Sequence, residues 1–210
     1  MISLSNAVVF GWHSAVMGMR NPMNSWAKSD SVFYNDFSCQ IGQNDLDLMK
    51  TLIKSGAEHR KFLRMIHVQM DIEAPLYWWK EFDTYKVGTT ANSCSTMHKI
   101  AAKEFTIENF SVEHLLAENT VYFGKTIERL NNARNKFLET KDKKYWWQMI
   151  QLLPSSYNQL RTVDLDYEVL LNQYFQRKDH KLDEWCIYCE QIKCFPYLND
   201  FIEVLKNEQK

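Results

Sequence analysis

The chain has 210 residues, 45% of them hydrophobic, which is enough for a single domain with a sizeable core. The formal net charge is −1, so no overall basic field indicates nucleic acid as a partner. No apolar run approaches the roughly 20 residues of a membrane helix, the start lacks the basic region of a secretory signal, and the five scattered cysteines do not suggest a disulfide framework. We therefore expect a cytoplasmic protein with no membrane partner.

The pattern of apolar residues predicts a mainly helical chain. Between 44 and 62, Leu46, Met49 and Ile53 recur at helical spacing, whereas 64–73 alternates in the manner of a strand. Ala74-Pro75 ends that strand. Helices are also predicted over 76–83, 112–139, 144–152, 167–176, 181–194 and 198–205, with a polar loop over 87–95. The predicted fold class is α+β, mainly helical with a small mixed or antiparallel sheet, in a single domain over 1–210.

Cysteine and histidine residues do not form a strong metal motif. Cys186 and Cys189 make a CxxC with Cys194 nearby, but a second CxxC is missing and the run has the character of a helix. Buried structural cysteine is the favoured interpretation. No metal is expected.

Three further features have a structural and a functional interpretation. The pairs Trp78-Trp79 and Trp146-Trp147 could stack a base or an isoalloxazine ring, but core or interface is favoured. The charged run 125–144 is typical of a solvated helix face. Asp164, Asp166 and Glu168 are interpreted as capping the following helix rather than as a catalytic pair.

The stretch HRKFLRMIHVQMDIEAPLYWWKEFDTYKVGTTANSCSTMHK resembles the central part of the flavin-dependent thymidylate synthases. His59, Ala74-Pro75 and the aromatic helix stand where that family has its His, Ala-Pro and aromatic helix. The Arg-His-Arg-x-x-Ser signature then falls on 84–89. Leu153-Pro154 and the closing Cys-Phe-Pro-Tyr over 194–197 agree in order and spacing, so the resemblance covers about 44 to the C-terminus.

The resemblance implies a homotetramer whose active sites are shared between subunits. It also implies FAD as the source of a hydride, methylenetetrahydrofolate as the source of carbon, NADPH as reductant, and methylation at C5 of a pyrimidine deoxynucleotide.

The resemblance assigns a role to eight positions of this chain. It implies that Arg177 is catalytic and contacts the pyrimidine nucleotide. The residues expected to bind the cofactor are His59, Lys86, Thr89 and Asn172. The residues expected to bind the substrate are Glu81, Cys94, Ser95 and Arg177.

Several signature positions carry a different residue here. Thr84, Tyr85 and Lys86 replace Arg-His-Arg, and Thr89 replaces Ser but keeps a hydroxyl. The remaining replacements are Gln by Glu81, Glu by Asn92, Ser by Cys94, and Arg by Thr96 and Ile150. Each lost charge-assisted hydrogen bond is worth roughly 1.5–3 kcal/mol, so nucleotide recognition must differ from the family's.

Three functions remain open at this level. The first is a divergent flavin enzyme that modifies a pyrimidine nucleotide. The second is an inactive homologue, for example of phage type, that binds or sequesters a nucleotide. The third is a structural or interaction protein, suggested by the 14% of aromatic residues.

Overall fold

A computed structural model describes residues 1–35 and 38–208 of the chain. The strands are β1 Ser3–Phe10, β2 Val32–Asn35, β3 Ser38–Gln40, β4 His67–Pro75, β5 Thr89–Ser93 and β6 Asn158–Asp166. The helices are α1 Trp12–Arg20, α2 Gln43–Lys54, α3 Leu76–Phe82, α4 Thr96–Lys99, α5 Ala117–Thr140, α6 Lys143–Leu152, α7 Tyr167–Arg177, α8 Asp183–Ile192 and α9 Leu198–Glu208. The prediction of an α+β fold, mainly helical with a small sheet, is confirmed.

The main sheet has four strands in the order β1-β4-β6-β5, and a separate hairpin pairs β2 with β3. Strands β4 and β6 run antiparallel, since backbone bonds join Leu76 to Tyr157 at one end and Tyr167 to Ile66 at the other. Along β4, Val68, Met70 and Ile72 are buried while the side chains between them are half-buried or exposed, which is the period of two that predicted a strand here.

The chain divides into two compact units. The first comprises 1–3, 72–84 and 92–161, and the second comprises 4–71, 85–91 and 162–210. The expectation of a single domain stays a prediction.

The first unit is built around the hairpin of α5 and α6. Its core is an apolar cluster of side chains from these helices and the preceding loops: Ile100, Phe105, Phe110, Leu130, Ala133 and Met149. The charged run over 125–144 covers much of the outer face of this hairpin, as predicted, because most of its Lys, Arg and Glu side chains are exposed.

The second unit packs α2 against α9 and α7 against α8. Its core includes Met49, Leu63, Tyr167 and Phe201, all almost fully buried. It also contains a buried ion pair, in which Arg20 Nε donates to Asp45 Oδ1 at 2.6 Å.

Two predicted elements differ from the structure. The helix predicted over 44–62 ends at Lys54, because Gly56 adopts a positive φ of 101° and the chain continues into a 3-10 helix at Lys61–Met65. The predicted polar loop over 87–95 contains strand β5, which lies at the sheet edge and exposes most of its side chains. An edge strand of that kind shows no apolar alternation, so its sequence has the composition of a loop.

The aromatic helix predicted after Ala74-Pro75 is confirmed as α3, and Trp78 and Trp79 are buried as favoured from the sequence. Within the described residues, no helix combines the length and the apolar character needed to cross a bilayer.

Candidate functional site

The predicted site residues are distributed over both compact units. His59, Lys86, Thr89, Asn172 and Arg177 belong to the second unit. Glu81, Cys94 and Ser95 belong to the first. Each group is therefore considered within its own unit.

Arg177, at the end of α7, is held by two aromatic side chains. Its guanidinium carbon lies 5.1 Å from the ring centre of Trp185 and 5.8 Å from that of Tyr85, and its Nε donates to the Tyr85 hydroxyl at 3.0 Å. That hydroxyl in turn donates to Gln176 Oε1 at 2.8 Å. The cation–π contacts with both rings and the bond at Nε restrict the orientation of the guanidinium.

This cluster joins two motifs that are far apart in the chain. Tyr85 stands at the His of the rewritten signature, and Arg177 stands in the second block of resemblance, 92 residues later. The structure thus brings together Tyr85 and Arg177, which the sequence connected only through the resemblance. Trp185 and Gln176 were missed, because nothing in their local pattern distinguishes them from other residues of amphipathic helices.

Thr89 retains the hydroxyl that the resemblance predicted. Its Oγ1 is buried and has no hydrogen-bond partner among the described residues. A buried hydroxyl without a partner is costly, so this oxygen is suited to a polar group of a ligand.

The turn before Thr89 is fixed by glycine. Gly88 has a φ of +70°, and a Cβ at this position would collide with the carboxylate of Asp166. The Gly88 carbonyl accepts a bond from the Asp166 backbone N–H at 3.2 Å. Asp166 caps α7 by accepting from Val169 N–H at 2.8 Å, which confirms the capping prediction for this carboxylate. Burial raises the pKa of Asp166, against the lowering effect of the Val169 N–H bond.

His59 lines a cavity of about 550 Å³. The walls are largely apolar and include Pro22, Met23, Leu48, Leu52, Phe62 and Met65. His59 does not end a helix, as the sequence suggested, but lies in the turn after α2, where its N–H bonds the Gly56 carbonyl at 3.1 Å. A cavity of this size and character can hold a flat organic ring.

Lys86 and Asn172 are both exposed. Asn172 shares α7 with Arg177, but five residues of helix separate the two side chains by about 140° around the axis. Their cofactor-binding roles stay predictions.

In the first unit, hydroxyl groups of the rewritten signature bond local backbone. The Thr84 hydroxyl donates to the Glu81 carbonyl at 2.7 Å, and Ser95 Oγ accepts from His98 N–H as the cap of α4. The backbone of Cys94 is bonded on both sides, to Leu160 and to the Gln159 side chain, and its thiol is exposed. The substrate-binding roles of Glu81, Cys94 and Ser95 stay predictions.

Arg161, on β6, was missed by the sequence analysis. Its guanidinium carbon lies 4.2 Å from the ring centre of Trp79, its Nε bonds Gln159, and its Nη1 bonds Asp83 at 2.7 Å. Trp79 is buried, so its contact with Arg161 gives this unit a guanidinium of fixed orientation. No sequence motif indicated this position.

Asp164 does not cap α7, because it lies two residues before the N-cap and accepts from His67 Nδ1 at 2.7 Å and from Gln69 Nε2 at 2.8 Å. The capping prediction is thus wrong for Asp164. Glu168 lies in the first turn of α7, where an acidic group is favoured, and it also pairs with Arg60 and Arg64.

The prediction of buried structural cysteine for the CxxC pair holds for one of its two thiols. Cys189 is buried, and burial raises its pKa to about 12. Cys186 is half-buried. The nearby Cys194 is exposed and lies after the end of α8 at Ile192.

Comparison with known proteins identifies a shared fold. A flavin-dependent thymidylate synthase (ThyX) from Helicobacter pylori, complexed with FAD and dUMP, matches with a TM-score of 0.68 and 14% identity over 94% of this chain and 97% of that chain. A second structure of the same Helicobacter pylori enzyme with FAD and dUMP gives 0.69 and 15% over 98% of each chain. A UMP/dUMP methylase from Streptomyces cacaoi, bound with 5-Br dUMP, gives 0.66 and 11% over 99% of this chain and 94% of that chain.

No family model and no curated protein matches the sequence. The chain thus has the fold of the flavin-dependent thymidylate synthases, at an identity that shows the fold alone.

Proposed function

We propose that this chain is a flavin-dependent enzyme that transfers a one-carbon unit to C5 of a pyrimidine deoxynucleotide. The observation that carries the proposal is the cluster of Arg177, Tyr85 and Trp185 in a fold shared with enzymes crystallised with dUMP. The residue expected to contact the pyrimidine is thereby restricted in orientation by partners from α8 and from the signature segment.

Arg177 would bind the pyrimidine edge and favour its electron-rich form. A donor that is held in place before the ligand arrives stabilises developing negative charge without first reorganising. The bond from Nε to Tyr85 and the contact with Trp185 supply that restraint.

The residues present are compatible with a flavin. The cavity at His59, of about 550 Å³, offers apolar walls for a ring system. The buried Thr89 hydroxyl has no hydrogen-bond partner among the described residues, so it is available to a polar group of the cofactor. Thr89, Lys86 and Asn172 are not among the described residues that line the cavity at His59, and we assign them to FAD on the resemblance. When bound and reduced by NADPH, the flavin would supply a hydride, with methylenetetrahydrofolate as carbon donor.

The proposal includes assembly as a homotetramer. Apolar side chains are exposed near the start of α5, where Leu116, Val121 and Tyr122 are each at least 65% accessible. Such a group of exposed apolar side chains is typical of an interface. Light scattering coupled to gel filtration measures the assembly directly.

The first test is an absorbance spectrum of purified protein with and without added FAD. We expect oxidised flavin bands at about 370 and 450 nm to co-elute with the protein, and Thr89→Val to weaken that binding. Thr140→Val, which changes an exposed threonine at the C-terminal end of α5, is the matched control. If wild-type protein elutes with no flavin at saturating FAD, the flavin part of the proposal is wrong.

A second candidate is a nucleotide-binding protein without turnover. It is favoured by the rewritten signature. Thr84 stands where the family has an Arg, and its hydroxyl bonds the Glu81 carbonyl. Ser95, beside the rewritten position 94, is bonded as the cap of α4. Calorimetry with dUMP and UMP, followed by an assay with FAD, NADPH and methylenetetrahydrofolate, separates the two candidates. Tight dUMP binding with no methylated product would select the second.

A further inference from the structure

The second unit contains another cavity, of about 420 Å³, whose lining shares no residue with the cavity at His59. Among the described residues, its lining comprises three ring side chains, two carboxamides, a hydroxyl and a glycine: Phe10, Trp12, His13, Asn35, Gln69, Ser14 and Gly11. The volume falls within the range of about 300–1,000 Å³ that is typical of small-molecule sites. None of the site residues predicted from the resemblance lines it.

The ring side chains of this cavity are held by other aromatic groups. Trp12 is buried, with edge contacts to Tyr167 at 5.4 Å and Tyr197 at 5.3 Å. Phe10 stacks on His67 at 5.7 Å, and His13 meets Phe33 edge-on at 4.9 Å. Ring walls supported in this way favour a flat ligand, which can stack without a large loss of side-chain entropy.

Gln69 presents a fixed hydrogen-bond acceptor to the cavity. Its Nε2 donates to Asp164 Oδ2 at 2.8 Å, while His67 Nδ1 lies 2.7 Å from the other oxygen of that carboxylate. A carboxylate only accepts hydrogen bonds. If the Gln69 amide were flipped, its Oε1 would face the Asp164 Oδ2, and two acceptors would repel each other, so the observed orientation is favoured. Gln69 Oε1 accepts no bond from the residues that the structure describes, and the Gln69 side chain is exposed.

We propose that this cavity binds a neutral planar heterocycle of nucleoside size whose ring N–H donates to Gln69 Oε1. The rings of Phe10, Trp12 and His13 would pack against its faces and edges. No Lys or Arg occurs among the described lining residues, so the chemistry favours an uncharged ring over a phosphate. The Arg177 cluster and the cavity at His59 take no part in this site.

The test is an NMR titration of protein labelled at its tryptophan indoles, of which there are seven. The probes are uridine, thymidine and inosine, each with a ring N–H. Their matched ligands are N3-methyluridine, N3-methylthymidine and 1-methylinosine, which lack it. The signal of Trp12, assigned with Trp12→Phe, reports on this cavity, and the signal of Trp185 reports on the Arg177 cluster.

We expect at least one of the three nucleosides to shift the Trp12 signal. Its N-methylated partner, or Gln69→Leu, should weaken binding by about three- to tenfold, since each removes the same neutral hydrogen bond. Gln43→Leu, which changes an exposed glutamine on α2, should leave the titration unchanged.

Three results would overturn the proposal. One is the absence of any Trp12 shift with all three nucleosides. The second is equal binding of a nucleoside and its methylated partner. The third is a Trp12 response that is identical in wild type and in Gln69→Leu.

Discussion

In the first compact unit, side chains that reach distant partners often bond backbone carbonyls, whereas in the second they often bond other side chains. Asn131 donates to the Phe105 carbonyl, and Trp146 donates to that of Met97. In the second unit, Arg20 reaches Asp45 and Arg177 reaches Tyr85. Polar groups that depend on distant partners are ordered only in the folded protein, which is the condition for a preorganised binding site.

The contrast also concerns stability. The first unit is held by an apolar cluster around Leu130 and Met149, and the second adds a buried ion pair to its apolar core. Large-to-small substitutions in an apolar core lower the free energy of unfolding in proportion to the volume that is removed. Removal of one partner from a buried ion pair costs more, because it leaves an uncompensated charge in the interior. The following predictions test this contrast in order of decreasing effect.

Asp45→Ala should have the largest effect on stability. The carboxylate accepts from Arg20 Nε and from the hydroxyls of Ser29 and Ser31, so its removal leaves the Arg20 guanidinium buried without its counter-charge. We expect a loss of about 3–5 kcal/mol in the free energy of unfolding, measured by urea denaturation. Asp47→Ala, an exposed acid on the same helix, is the control, and a similar small loss in both variants would contradict the proposed contrast.

Leu130→Ala should destabilise the first unit by roughly 2–5 kcal/mol, because the side chain is fully buried in the apolar cluster and its loss leaves a cavity. Leu138→Ala, with 40% of that leucine exposed on the same helix, should cost clearly less. Urea denaturation followed by tryptophan fluorescence measures both. Equal losses in the two variants would mean that the cluster is not the core of this unit.

Arg177→Ala should weaken dUMP binding by about 10- to 100-fold, which corresponds to one charged hydrogen bond of roughly 1.5–3 kcal/mol. Calorimetry measures the dissociation constant, and circular dichroism checks that the variant is folded. Arg129→Ala changes an exposed arginine of the first unit and should bind as wild type does. Unchanged affinity in Arg177→Ala would remove this residue from the nucleotide site.

Tyr85→Phe should produce the smallest effect, about a three- to tenfold loss of dUMP affinity. The ring contacts are kept, while the hydroxyl that accepts from Arg177 and donates to Gln176 is lost, at roughly 0.5–1.5 kcal/mol. Tyr34→Phe, at a tyrosine with 65% exposure on β2, serves as the matched control. If Tyr85→Phe binds dUMP as tightly as wild type, the hydroxyl does not position Arg177.

Local pattern was sufficient for most elements of the fold. The alternation along β4, the aromatic helix α3 and the capping role of Asp166 were all predicted, since each depends on neighbours within a few residues. The order of motifs similarly predicted the shared fold, which the comparisons confirm at 11–15% identity. Strand β5 was missed, because a polar edge strand is defined by its pairing with β6 and not by its own composition.

The contacts within the candidate site were harder to predict from the sequence. The resemblance pointed to Tyr85 and Arg177 separately, but their bond, the stacking on Trp185 and the Gln176 acceptor depend on how α7 and α8 pack. The pairing of His67 with Asp164 and the orientation of Gln69 also escaped prediction, because β4 and β6 lie far apart in sequence.

The amino-acid sequence by itself determined where helices and strands form and which faces they bury, because periodicity and capping act over a few residues. Only the tertiary structure decided which polar groups meet. Hydrogen bonds and stacking act over a few ångströms, and the side chains of Gln69 and Asp164, or of Tyr85 and Arg177, come within that range only once the chain has folded.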